Sequence, residues 1–134
     1  MKYLIDTDIA SYYLRGKFSL DKVFKEKGPS EITLSAVTVA EMQVVAYKNP
    51  QSKLNLQTIS KLAQWAGVLE LDQETWMIFA KTKAETLQRG EPRGDLDILQ
   101  VAIAMQYALV VVTHNLVHYT GLVDCEDWTT TDLR

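Results

Sequence analysis

Cysteine is almost missing from this chain. Cys125 is the only one among 134 residues, so no intrachain disulfide can form and a reducing compartment, the cytoplasm, is the expected location. Histidine is nearly as scarce, with His114 and His118 alone, which leaves no convincing nucleophile–imidazole system. No apolar run is long enough to cross a bilayer. The longest, Ile98 to Val112, is broken by Gln100 and Gln106 and reads as a buried helix followed by a buried strand, so no membrane association is expected. A secretion signal is not expected either, because Asp6 and Asp8 fall where its apolar core would run. Repeats, low-complexity tracts and linker-like stretches are all lacking, and one domain over 1–134 is the expectation.

Basic side chains are missing from one region in particular. Residues 94–133 contain no Lys or Arg and six acids, whereas residues 1–93 hold 13 of the 14 basic side chains against 11 acids. The formal net charge of -3 argues mildly against nucleic-acid binding by bulk charge, but its distribution softens that objection. Arg15, Lys17, Lys22, Lys25 and Lys27 follow the first predicted strand, and Arg89 and Arg93 precede Asp97. Of these, Arg15, Lys17 and Arg93 are the candidate phosphate contacts. What remains is ordinary globular composition, 47% hydrophobic and 23% charged.

Hydrophobic periodicity sets strands and helices in alternation. Strands are predicted at 2–6, 31–34, 67–71 and 109–113, with a short fifth at 122–124. Helices are predicted at 8–15, 18–27, from Ser35 or Thr38 to 48, about 51–66, 73–89 and 95–108, with Gly90-Glu-Pro-Arg-Gly94 as a loop. Strands as uniformly apolar as Leu109-Val-Val-Val112 belong in a parallel sheet covered on both faces. The expected fold class is therefore α/β, a three-layer α/β/α sandwich around a central parallel sheet of four to five strands. In such sheets, sites gather at the carboxyl ends of the strands.

Asp6 closes the first predicted strand and Asn115 lies just past the fourth. Asp97 opens the helix before that fourth strand, and Glu41 sits two turns into the helix after the second. Acids brought together at one rim repel each other unless a cation lies between them. Hard divalent ions such as Mg²⁺ or Mn²⁺ prefer oxygen ligands and can lower the pKa of a bound water. Every one of these residues also has a structural alternative. Asp6 can cap the following helix, although Asp8 is the better cap candidate. Asp95 reads as an N-cap and Asp97 as a helix-dipole partner. Glu41 suits a solvated surface position, and Asn115 can cap a short helix. Thr7 and Thr113 are ligand hydrogen-bonders or simply buried threonines at strand ends.

Taken in order, these segments resemble the PIN-domain ribonucleases, in particular the VapC-type toxins of bacterial toxin–antitoxin pairs. Met1-Lys-Tyr-Leu-Ile-Asp-Thr-Asp-Ile9 with Leu14-Arg-Gly16 is similar to the first-strand signature, and Leu34-Ser-Ala-Val-Thr-Val-Ala-Glu41 to the second. Gly94-Asp-Leu-Asp-Ile-Leu-Gln-Val-Ala-Ile-Ala104 is similar to the third, Val111-Val-Thr-His-Asn115 to the fourth, and Gly121-Leu-Val-Asp-Cys-Glu-Asp-Trp128 to the closing strand. The resemblance implies a PIN-like fold and a metal-dependent endoribonuclease. It carries over Asp6, Glu41 and Asp97 as catalytic acids and ligands of Mg²⁺ or Mn²⁺, with a metal-activated water leaving a 3′-hydroxyl and a 5′-phosphate. Asn115, the fourth catalytic candidate by the same resemblance, stands where many members have a fourth Asp and offers an amide oxygen without a charge, while Asp8, where an Asn is common, restores a negative charge to the site. Asp8, Asp95 and Thr113 are therefore auxiliary candidates. Gln100 replaces a usually apolar residue. The resemblance also implies an antitoxin protein partner, with Tyr12, Tyr13 and Leu14 lining its groove, a homodimer, and an RNA substrate such as tRNA or rRNA.

Two rivals make different use of the same residues. Asp6-Thr-Asp8 is also the strand-end pattern of a haloacid-dehalogenase-like phosphatase with Asp6 as nucleophile, but no Lys follows Lys83 and Asp95-Leu-Asp97 is too tightly spaced for its later motif. The other rival is a degenerate PIN fold serving as a non-catalytic binding module, with Asn115 marking a lost activity. A receiver-like module would use Asp72 but lacks the late Lys.

Overall fold

A computed structural model describes residues 1–130 of the chain; the last four positions of the expected 1–134 domain lie outside them. Five short strands form one sheet: β1 (Tyr3–Ile5), β2 (Ile32–Ser35), β3 (Val68–Leu69), β4 (Val110–Val112) and β5 (Cys125–Glu126). Their order is β3-β2-β1-β4-β5 and every pairing is parallel. Between them run α1 (Thr7–Leu14), α2 (Leu20–Lys27), α3 (Ala36–Lys48), α4 (Leu56–Ala66), α5 (Gln73–Gln88) and α6 (Asp95–Tyr107).

The side-chain period of two divides the strands between two cores. Tyr3 and Ile5 join Ile32, Leu34 and Val112 on one face, beneath Ile9 and Ala10 of α1, Val23 and Phe24 of α2, Met42 of α3 and Leu62 of α4. Leu4 and Val111 point the other way, into Leu99, Val101 and Ile103 of α6, with Phe79 of α5 packed against them. The expected three-layer α/β/α sandwich is thus the observed one. Among the described residues no helix is long and apolar enough to cross a membrane.

The central strand, β1, has β2 on one side and β4 on the other. The chain winds outward in both directions from this point, which opens a crevice at the carboxyl ends of β1 and β4. Asp6 follows β1 directly, and Thr113 follows β4. That crevice is where the acids were expected.

Several local expectations shift. Asp6, rather than Asp8, is the N-cap of α1, since its extended backbone lets the carboxylate accept from Thr7 N at 2.9 Å. Gly94, rather than Asp95, precedes α6. The second predicted helix begins at Leu20 because Phe18 and Ser19 adopt left-handed backbone, which turns the Phe18 ring edge-on to Tyr12 at 5.0 Å. The fourth helix begins at Leu56 instead of near Gln51, fixed by a reciprocal box between Asn55 and Thr58. The fifth strand lies at Cys125–Glu126 rather than 122–124, paired with Val111 and Val112; Leu122 and Val123 instead pack on the second core from the preceding turn.

Candidate active site

Asp6 is almost fully buried at the crevice floor, and its carboxylate accepts from four sides. Thr7 N (2.9 Å) and Gln100 Nε2 (3.3 Å) donate to Oδ1, and Thr113 Oγ1 and Tyr119 Oη donate to Oδ2, both at 3.0 Å. Asp97 comes from the first turn of α6. Its Oδ1 lies 3.3 Å from the same Tyr119 hydroxyl, and its Oδ2 lies 3.1 Å from His118 Nδ1. Asp6 and Asp97 therefore meet on one hydroxyl. A single phenolic proton cannot satisfy two charged carboxylates, so while both are ionised one of the two contacts is short of a donor.

Glu41 stands beside this pair and accepts a 2.6 Å bond from Thr7 Oγ1. Partial burial raises its pKa, the Thr7 bond lowers it, and the charges of Asp6 and Asp97 raise it further. Burial also raises the pKa of Asp97; His118, Tyr119 and Arg93 pull it down while Asp6 pushes it up. The Tyr119 hydroxyl, buried and facing both acids, is held far above the usual phenol range. It acts as a neutral donor at any physiological pH. The three acids that the sequence singles out thus feel each other's charge across the crevice.

Asn115 and Asp8 form a second pair instead of joining the first. Asn115 Nδ2 donates to Asp8 Oδ2 at 3.2 Å, and His114 N donates to the same oxygen at 3.0 Å. Burial, then the nearby Asp6 charge, raises the pKa of Asp8. Asp8 ties α1 to the segment after β4, and Asn115 N is in turn bonded to Thr113 Oγ1 at 3.1 Å. Asn115 precedes the 3-10 turn Leu116–His118 without capping it by its side chain. Asp95 turns outward to an exposed ion pair with Lys83. Arg15 and Lys17 are exposed at the far end of α1, a helix roughly 12 Å long. Arg93 bends back over the rim, its Nη1 donating to His118 O at 2.7 Å.

Two side chains of this rim carry no expectation from sequence. Tyr119 gives no local signal, because a lone aromatic after a 3-10 turn reads as core. His118 is noticeable only for the rarity of histidine. Gln100 is different, since a polar residue in the middle of an apolar helix stands out, and the structure accounts for it as a donor to Asp6.

A divalent ion fits what is here. The donor set is carboxylate oxygen, hard and anionic, and Mg²⁺ in particular uses one or two carboxylates, water and substrate phosphate. Asp6 and Asp97 supply such a pair where one proton is shared too thinly. Among the described residues no three Asp, Glu, His or Cys side chains stand ready-spaced around a common point, and Glu41 is held to Thr7. Asp6 and Asp97, with Glu41 alongside, are what this crevice offers an ion among the described residues.

A family model described as the PIN domain matches residues 3–119. Ribonuclease VapC1 of Haemophilus influenzae is 24% identical over 133 residues, covering 96% of this chain and 99% of that protein. Ribonuclease VapC2 of the same species is 25% identical over 131 residues, covering 96% and 98%. Among solved structures, the DNA-bound VapBC of Salmonella typhimurium aligns with a TM-score of 0.86 at 24% identity, over 96% of this chain and 98% of that one. VapBC-1 of nontypeable Haemophilus influenzae aligns at 0.79 and 23%, over 97% and 100%.

Proposed function

The chain belongs to the PIN-domain family, and on that premise we propose that it is a metal-dependent endoribonuclease, the toxin of a toxin–antitoxin pair. The observation that carries this reading is the meeting of Asp6 and Asp97 on the Tyr119 hydroxyl at the switch point of the sheet. The names of the two sequence relatives, both ribonucleases, point the same way.

Asp6 and Asp97 would hold Mg²⁺ or Mn²⁺, with Glu41 beside them. Such an ion supplies a water of lowered pKa and charge stabilisation at a leaving oxygen. The chain's own residues do the rest. Thr7 keeps Glu41 aimed at the crevice, where its carboxylate can accept a proton. Thr113 and Tyr119 fix Asp6 so that it need not reorganise. Arg93, beside Asp97 and held by His118 O, offers positive charge to a phosphate at the rim. The products are a 3′-hydroxyl and a 5′-phosphate. Asn115 and Asp8 frame the site without supplying its primary ligands.

The antitoxin would lie over the groove that Tyr13 and Leu14 of α1 form with Leu62 and Trp65 of α4. One related structure is described as a toxin–antitoxin complex from Klebsiella pneumoniae. The chain would act as a homodimer in the cytoplasm.

The test is direct. Purified chain freed of any partner is given single-stranded RNA with Mg²⁺ or Mn²⁺. Cleavage that stops in EDTA is the expected result, and cleavage that continues in EDTA contradicts the proposal. Binding of RNA with no cleavage under any metal would favour the non-catalytic module.

The pKa directions add a prediction about acid. Asp97 is faced by Asp6, Glu41, Tyr119, His118 and Arg93, and both it and Glu41 hold protons more tightly than ordinary carboxylates. An ion must displace those protons. Mn²⁺ affinity is therefore expected to fall as pH drops through a window lying above the ordinary carboxylate range, measured by titration calorimetry at stepped pH. Affinity unchanged until below the ordinary range would contradict the raised values.

A further inference from the structure

Gln100 sits in the first half of α6 with 1% of its surface exposed. Each polar atom of its amide is engaged. Ser35 Oγ donates to Oε1 at 2.6 Å, while Nε2 donates to Thr38 Oγ1 at 2.7 Å and to Asp6 Oδ1 at 3.3 Å. The partners are themselves fixed. Ser35 Oγ accepts from Thr38 N as the N-cap of α3, and Thr38 Oγ1 donates to Ile5 O at the end of β1. Ser35 and Thr38 are both fully buried. Among the described residues no buried side-chain donor or acceptor lacks a partner.

The placement of these anchors is what gives the network meaning. Ile5 immediately precedes Asp6. Thr38 precedes Glu41 by three residues on α3, and Gln100 follows Asp97 by three on α6. Residues three apart share a helix face, so each anchor lies beneath one of the acids. We infer that Gln100 is the positioning residue of the acid site: its one planar amide links Asp6 at the end of β1 with α3 and α6, which carry Glu41 and Asp97, and sets the spacing of the three acids for a divalent ion.

An apolar residue of similar size would fill the same space. It would leave Ser35 and Thr38 without the Gln100 amide and release Asp6 Oδ1 from its only side-chain donor among the described residues. Partners behind a ligand typically govern metal affinity as well as orientation. A residue needed for packing alone would change stability and nothing else. That difference separates the two roles.

This inference rests on the ion-binding reading of the site, and the experiment separates failure of one from failure of the other. Mn²⁺ binding to the full chain is measured by titration calorimetry for wild type, Gln100→Met, Ser35→Ala and Thr75→Val, each with its melting temperature. Thr75 is a fully buried threonine bonded to Asp72 and Gln106, outside the acid network, and serves as the control. Gln100→Met is expected to weaken Mn²⁺ binding about tenfold or more. Ser35→Ala, which frees the amide oxygen of Gln100, is expected to weaken it less. Thr75→Val should lower the melting temperature and leave affinity alone. Folded Gln100→Met with wild-type affinity overturns the inference. If that variant does not fold, wild-type affinity in Ser35→Ala overturns it instead. Wild-type protein that binds no Mn²⁺ overturns the proposed function and this inference with it, whereas wild-type binding shared by all variants overturns only the inference.

Discussion

Asp97→Asn is expected to lower the rate of RNA cleavage on the order of a thousandfold while leaving the protein folded. The substitution keeps the size and the hydrogen-bonding reach of the side chain but removes its charge. Without that charge the proposed ion would keep only one of its two anionic ligands, and Arg93 and His118 would face a neutral group. Asp97 is the better choice for this test than Asp6. Asp6 also caps α1 and takes four hydrogen bonds, so its replacement confounds chemistry with folding. Asp97 is half-exposed and its pKa is raised above the ordinary value, chiefly by burial. A raised folded pKa means that stability is fully present below the unfolded pKa and is lost as pH rises through the folded one. Metal-free wild type therefore carries a cost at neutral pH that Asp97→Asn does not. In EDTA the variant should melt at or above the wild-type temperature at pH 7, and the gap should close on acidification. A variant that cleaves RNA at near the wild-type rate would remove Asp97 from the mechanism.

Phe24→Ala is expected to cost about 3–5 kcal/mol of stability, the largest effect of any single change away from the site. Phe24 has 1% of its surface exposed. Its ring stacks on Tyr13 of α1 with centroids 4.1 Å apart and lies within 6.2 Å of Trp65 of α4 and 5.9 Å of Trp128 after β5. Trp128 in turn meets Tyr3 of β1 edge-on at 5.0 Å. One ring thus joins α1, α2, α4 and the closing segment on the first face of the sheet. Its removal leaves a cavity walled by rigid aromatics, which have little freedom to collapse inward. Domains of this size have only about 5–15 kcal/mol in total, so the urea midpoint should fall by a large fraction. The crevice lies elsewhere, and Mn²⁺ affinity of the folded fraction should be unchanged. A loss below about 1 kcal/mol, well under the range for such a truncation, would show that the cluster repacks.

The layered fold was legible because the strands announce themselves. Tyr3-Leu-Ile5 and Val110-Val-Val112 are too uniformly apolar for one-sided burial, and the alternation of strand and helix then requires cover on both faces. Asp6 and Asp97 were legible for a related reason, as acids at the ends of apolar segments. The misplaced features are those where a long-range contact outweighs a local preference. Asp6 both caps α1 and meets Asp97 on the Tyr119 hydroxyl, and so took the cap that local reasoning gave to Asp8. The fifth strand is set by pairing with β4 rather than by the more apolar Leu122-Val123. Gln100 was visible as an anomaly, but its partners lie 65 and 94 positions away in sequence. Tyr119 reaches Asp6 across 113 positions, and nothing near it in the chain hints at that.

The acid pair itself is tested most directly by where an ion goes. Crystals of the chain soaked in Mn²⁺ and measured for anomalous scattering should show a peak within roughly 2.2 Å of carboxylate oxygens of both Asp6 and Asp97, with Glu41 alongside. A peak only at surface acids such as Asp72 and Glu74, or no peak at the crevice at saturating Mn²⁺, would contradict the account.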